Sequence, residues 1–504
     1  MGPRKSQVVY IWTCSRGGQN VPFWAQGNPN IGLPRDTDDI LSRFLGEVFD
    51  DAGPFLYQAV PIREFCLPAD ISILAAGNDT RLQRKMALLD ERNDEGLRKD
   101  ARGTCRRSLH DGALSASDLY ESLRKKRYNE SYHSATGTAI STSSNNRRNT
   151  HEADADRRLI YVTDIDSWCM LAIISTVPSL QAAFLRDFVY RHIEFKTHVG
   201  IQVPTSGFQN FALEFHLPFY ACKKGPDLVK DQRLKTNQKP LRRTGDLQFL
   251  KLAPFQTDAS GLDDCIYEAQ ISVLVTGVDH WSWTAFAFVD TYYKGPENQE
   301  SVEHYLEQVQ YGARLDPLTE GQYYGEPPVW RPREYFLRVL ESRVKQVKRE
   351  WHNTVFRILQ RIEPQTHDDL LSEPEHRQGH VLDRGTQIFF DKTIRLLQQM
   401  SYLISLTVDA WMRFMNVELA YFTNLENLPG KQRTPIMLIS EINKEVEDLL
   451  VLRKNLDHQR DLLYGLSQKL EKGLQLDNNA IAALQQKNAV LITALTISAS
   501  KNVT

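Results

Sequence analysis

Several patterns that usually disclose a function are missing from this chain of 504 residues. Six cysteines (Cys14, Cys66, Cys105, Cys169, Cys222 and Cys265) are scattered without a C-x-x-C pair, and no secretory signal peptide precedes them. Reduced thiols are therefore expected, and neither a zinc knuckle nor a disulfide framework is. The 61 Lys and Arg nearly balance 63 Asp and Glu, for a formal charge of -2. The chain as a whole thus generates no field that would draw nucleic acid or an acidic membrane. No window reaches the roughly 18 to 20 apolar residues needed to cross a bilayer. The nearest, Ala489 to Ala499, stops at Ser500-Lys501-Asn502. H-E-x-x-H, Walker A and G-x-G-x-x-G patterns are absent, so an enzyme is not expected. Proline is absent after Pro435. That last absence permits one very long helix.

The helix is expected from about Ile436 to Leu495, with Thr434 and Pro435 as cap and first residue. Steps of seven from Ile442 give Leu449, Leu456, Leu463, Leu470, Asp477, Leu484 and Leu491, an apolar stripe with one polar interruption. Ile442, Leu449, Leu456, Leu463, Leu470, Leu484 and Leu491 are the expected helix-packing or oligomer interface. At 1.5 Å per residue the helix would run about 85 to 90 Å, so it must protrude or find partners. The second seam position (Val446, Arg453, Arg460, Ser467, Leu474, Ile481) is poorer, which favours packing against broad helical faces over a tight two-stranded coiled coil.

Upstream, residues 1–76 form the N-terminal part of an α/β domain, with a β-branched run Val8 to Trp12 and a helix from about Thr37 to Phe49. Residues 77–157 turn polar and charged, ending in the run Ser134 to Arg148, and predict a disordered linker. Residues 158–330 hold the main domain. A strand at Leu159 to Val162 leads through Asp164-Ile165-Asp166 into a helix. An amphipathic helix follows, presenting Ala183, Leu185, Phe188, Val189 and Ile193 on one side and Arg186, Asp187, Arg191 and His192 on the other. Further strands are expected at His198 to Val203, Phe211 to Phe215 and Ala269 to Val278, with a solvated basic loop, Lys223 to Arg243, before the last. Residues 331–430 give two amphipathic helices, about Pro332 to Ile362 and Gln387 to Phe422, separated by a polar loop from Pro364 to Arg384. Residues 431–504 are the long helix. The fold class is therefore α+β or α/β: a mixed-sheet domain with amphipathic helices, then a two-helix hairpin and a long C-terminal helix.

Candidate chemistry is sparse. His280 beside Asp279, in the aromatic run Val278 to Phe286 closing a strand, reads as a core histidine. Glu214 and His216 share a strand face and could take a divalent ion, but no third ligand stands near them in sequence. Glu441, Glu445, Glu447 and Asp448 precede Lys444, Arg453 and Lys454 within helical reach, which predicts ordinary exposed pairs.

Five runs resemble those of the fungal CorA-like magnesium-transporter-related proteins: Leu159-Ile-Tyr-Val-Thr-Asp, Gln181-Ala-Ala-Phe-Leu-Arg-Asp-Phe, Phe211-Ala-Leu-Glu-Phe-His-Leu-Pro-Phe-Tyr, Asp279-His-Trp-Ser-Trp-Thr-Ala and Pro332-Arg-Glu-Tyr-Phe-Leu-Arg-Val. The resemblance extends to the run from Asp477 to Thr493. It implies a cytoplasmic α/β domain, two shorter helices and a stalk helix that assembles with its like. Partners would be further copies of the chain or a full-length CorA-like relative, met through the C-terminal helix, with no nucleic acid and membrane contact only at the C-terminal end. Mg2+ is the one cofactor it suggests, with no metal-site residue pinned. The family's Gly-Met-Asn signature has no counterpart, since Met415-Asn416 follows Phe414, and the two membrane helices are not in this sequence. The expectation is a domain related to divalent-cation transport yet not transport-competent alone, cytoplasmic as given and membrane-associated if those helices are encoded downstream. The alternative is a helical scaffold without a transport role.

Overall fold

The computed structural model describes residues 22–23, 36–46, 56–93, 112–128, 155–203, 210–225, 228–235, 238–250, 263–279, 281–294, 301–307, 309–310, 313–371, 384–423 and 433–501. The expected strand at Val8 to Trp12 and the run Ser134 to Arg148 lie outside the described residues, as does His280.

Seven strands make one mixed sheet: β1 (Ala87–Arg92), β2 (Arg157–Thr163), β3 (His198–Gln202), β4 (Phe211–Gly225), β5 (Thr244–Asp246), β6 (Asp263–Gly277) and β7 (Trp283–Val289). Their order is β1-β2-β7-β6-β4-β3, and β5 pairs the first half of β6 where β7 pairs the second. Only β2 and β7 run parallel, with Leu159 opposite Ala285. The strands read as continuous apolar runs because both faces are covered. Odd-numbered positions such as Leu213, Phe215, Ile271, Val273 and Ala287 join one core, and Ile160, Val162, Leu274, Phe286 and Phe288 join the other. That parity is the two-residue period of a strand expressed on two buried faces.

The second face is covered by six helices, α1 (Thr37–Leu45), α2 (Leu56–Cys66), α3 (Ile71–Ala76), α4 (Ala116–Arg124), α5 (Ser167–Thr176) and α6 (Ser179–Ile193). Asp166 caps α5 by accepting from the Cys169 N–H at 2.9 Å, as the turn Asp164-Ile165-Asp166 predicts. Every residue from Trp168 to Ser175 is buried, so α5 is apolar all round and runs through the interior. In α1 the cap is Asp36, one residue before the expected Thr37, whose hydroxyl instead accepts from the Ile71 N–H at 3.0 Å. The helix stops at Leu45, before Phe49, because Gly46 takes the left-handed conformation that ends a helix.

The expected disordered linker at 77–157 is corrected over its described parts. β1 pairs antiparallel with β2, and α4 starts with a capping box in which Ser115 and Asp118 exchange side-chain and backbone bonds. Arg127 then buries its guanidinium on the carbonyls of Ala155, Asp156 and Trp283 and the Thr284 hydroxyl. Averaged polarity hid this, because the charges are paired inward: Arg158 meets Glu91 at 2.6 Å, both buried. Residues 94–111 and 129–154 lie outside the described residues.

After a short helix, α7 (Val302–Glu307), and a two-residue hairpin, β8 (Val309–Gln310) with β9 (Ala313–Arg314), the odd-numbered face of the sheet is closed by α8 (Pro332–Leu371) and α9 (Arg384–Val417). The helix α8 continues past Ile362 to Leu371, which corrects the first part of the expected loop, and the rest of it up to 383 lies outside the described residues; Pro364 forfeits one backbone donor without ending the helix. A short turn of helix, α10 (Ala420–Thr423), precedes α11 (Arg433–Lys501), 69 residues and about 100 Å long.

Candidate functional site

Two features stand apart from ordinary core packing: the long helix, and a chain of buried polar side chains beneath α6.

α11 lies against both α8 and α9. Lys348 of α8 pairs with Glu445 and, at 2.9 Å, with Asp448. On α9, Ser401 donates to Asp457 at 2.8 Å and Trp411 Nε1–H to Asn443 at 2.7 Å. The α9 numbering rises as that of α11 falls, so these two helices are antiparallel. Ile442, Leu449, Leu456 and Leu463 are fully buried in this seat, together with Val446 and Leu452. The stripe then changes character. Leu484 is 60% exposed and Leu491 59%, with Ile481, Val490 and Ile492 exposed beside them. The side chain of Leu470 lies outside the described ones. Three of the four acidic residues are paired, Glu441 with Lys444 as expected at 2.7 Å, but Glu445 and Asp448 with Lys348 of another helix.

The polar chain begins at Glu214 and His216. Both occupy even positions of β4, on the α6 face, as does Ser272 across on β6. Glu214 Oε2 takes Arg191 Nη1 at 2.6 Å and Oε1 takes His216 Nε2 at 2.5 Å. A carboxylate only accepts, so His216 carries its proton on Nε2 and its Nδ1 accepts from the Ser272 hydroxyl at 2.8 Å. That hydroxyl must then accept from His192 Nδ1–H at 2.9 Å, which leaves His192 Nε2 to accept from Arg242 Nη2 at 3.3 Å. One proton arrangement satisfies every link with both imidazoles neutral. Burial, with the nearby Arg242 charge, pushes His192 well below its ordinary value, and burial lowers His216. Burial opposes the Glu214 carboxylate, yet the hydrogen bond from neutral His216 and the Arg191 guanidinium outweigh it and bring its pKa to about 2.

The chain continues at the C-terminal end of β7. Arg242 and Arg233 clamp Asp290 from both carboxylate oxygens, each at 2.6 Å, and Arg233 also holds Asp231 at 2.8 Å. Burial works against the Asp290 charge, and the two guanidiniums hold its pKa far below the carboxylate range. Neighbouring Asp164 accepts from the Thr291 and Tyr292 N–H groups at 2.6 and 2.9 Å from a left-handed backbone, φ 47°.

These contacts correct three expectations. His192 is on the buried side of α6, stacked edge-on to Phe288, and not on its outer face. Arg233, Arg242 and Asp231 of the basic loop are core residues, since their charges cancel inside the fold. The aromatic run Val278 to Phe286, expected to close a strand, instead crosses the β6–β7 connection and enters β7 at Trp283: in the connection Asp279 accepts from the Trp281 and Ser282 N–H groups at 2.8 and 2.6 Å. The Glu214–His216 pair is brought together as its spacing implies, but its lone pairs and protons are committed to Arg191 and Ser272. Among the described residues no group of three or more His, Cys, Asp or Glu is arranged to hold a metal ion. Gln270 and Ser272, two polar residues of one parity inside an apolar strand, were the sequence signal for the rest of the chain.

Among the described residues no helix is long and apolar enough to cross a membrane. Neither the protein-family models nor the curated proteins give a match to this chain.

Proposed function

We propose that this chain is a CorA-like, magnesium-transporter-related cytoplasmic domain carrying a stalk helix, and that it does not transport ions by itself. The observation that supports this is the order of parts: a mixed sheet covered by helices on both faces, two further helices, then a 69-residue helix whose first half is seated and whose second half leaves the body. Such a helix is built to carry something at its far end. An ion crossing a bilayer needs about 30 Å of protein-lined path, and the described helices supply no segment apolar enough to form it. The polar chain under α6 serves as a rigid internal strut, because each of its charges already faces its opposite.

Co-expression with a full-length CorA-like relative should yield a complex that survives purification through the outer half of α11. The protein reconstituted alone in liposomes should give no Mg2+ influx above empty vesicles. A saturable flux from the chain alone would overturn the second half of the proposal, and failure to associate with any such relative would overturn the first. A scaffold without a transport role is the second reading, favoured by the exposed apolar residues Ile481, Leu484 and Leu491. It predicts a stable complex with an unrelated helical protein instead.

A further inference from the structure

A groove of about 450 Å³ opens between the turn that follows α6 and the outer face of α9. This is the size of sites that take small molecules, whereas the cavity between β1, β2 and α7, about 70 Å³, holds a few waters at most. Its lining is cationic although the chain as a whole is not. Lys196, Arg243 and Arg413 face the groove, against one carboxylate, Glu194, which is engaged by Lys235 at 2.9 Å. Arg243 is tied to Glu268 at 2.6 Å but its side chain is 77% exposed. Lys196 and Arg413 have no ion-pair partner among the described residues, so their charge is uncompensated where they meet the groove.

Two further features make this more than a charged surface. The turn itself is held rigid, with Phe195 in the left-handed region at φ 54°, Lys196 N–H bound to the Arg191 carbonyl at 3.0 Å and Gln270 donating to the Lys196 carbonyl at 3.4 Å. On the α9 side the groove is lined by Tyr402, which is 64% exposed, with Leu403 and Leu406.

We propose that this groove binds a small organic phosphate bearing a flat ring, of the nucleoside phosphate class. The phosphate oxygens would take Lys196 and Arg413, and the ring would lie on Tyr402. Two cations without a carboxylate partner suit a dianion with three acceptor oxygens better than a single carboxylate.

Calorimetric titration of the whole chain with ADP, adenosine and inorganic phosphate tests this. ADP should bind saturably, more weakly as salt rises, and at least about tenfold more tightly than either fragment. Lys196→Ala and Arg413→Gln should each weaken ADP about tenfold, and Tyr402→Ala should weaken ADP while leaving phosphate unchanged. All three side chains are exposed, so circular dichroism should show the wild-type fold. No saturable ADP binding, wild-type affinity in the variants, or phosphate binding as tightly as ADP would each overturn the proposal.

Discussion

The two halves of α11 carry the same leucine stripe and meet opposite fates. From Ile442 to Leu463 the stripe is buried between α8 and α9, while Leu484 and Leu491, on the same seven-residue step, face outward. The periodicity is therefore a property of the helix, and burial is a property of what stands beside it. Periodic apolar residues promise only that one side of a helix is ready for a partner. Over the first half the partner is in the same chain.

The sharpest way to break this contrast is a charge on the stripe. Leu456→Glu places a carboxylate in a fully buried seat and should cost about 4 kcal/mol or prevent folding, read by urea denaturation. Leu484→Glu should leave the same midpoint unchanged, and any loss it causes would appear in the assembly state instead. Equal destabilisation by both would mean that the outer half is seated too.

A second measurement sets the sheet against the helix in acid. The Glu214 pKa is depressed in the folded protein from about 4.5 to about 2, so the folded state binds fewer protons than the unfolded one in that window. Its stabilisation, about 3 kcal/mol at that shift, is fully present above pH 4.5 and is lost as the pH falls toward 2. Glu214→Gln should flatten the stability profile over this range. Glu441→Gln removes a carboxylate that Lys444 also holds below its ordinary value, but solvent screens that exposed pair, so the profile should change far less than in Glu214→Gln.

Smaller effects come from single polar clasps in the seated half. Asn443→Ala strands the Trp411 indole N–H and should cost about 1 to 2 kcal/mol in thermal or urea unfolding. A loss below about 0.5 kcal/mol would mean that water replaces the asparagine, and that the seat is wetter than its burial suggests.

Much of the architecture could be read from local pattern. The long helix, the two helices before it, the cap at Asp166 and four strands of the main domain, β2, β3, β4 and β6, follow from spacing and composition, since capping, proline exclusion and apolar periodicity act over a few residues, whereas β5 and β7 are not among the strands expected. The linker expectation failed at β1 and α4 for a related reason. Mean polarity measures a segment's cost in isolation, and Glu91 and Arg127 are buried only because Arg158 and the Ala155, Asp156 and Trp283 carbonyls await them. The same holds for Arg233 and Arg242, which look like solvated loop residues until Asp290 is placed between them.

By itself, then, the sequence determined the long C-terminal helix and the two before it, four strands of the sheet, and the existence of an apolar stripe along α11. Tertiary structure alone decided which stretch of that stripe is covered, which charges are internal, and how His192, Ser272 and His216 share their protons. The division has a physical cause. Backbone preferences and side-chain periodicity are settled by neighbours a turn or two away, whereas desolvation and charge pairing depend on groups that the fold brings together across gaps such as the 80 residues between His192 and Ser272.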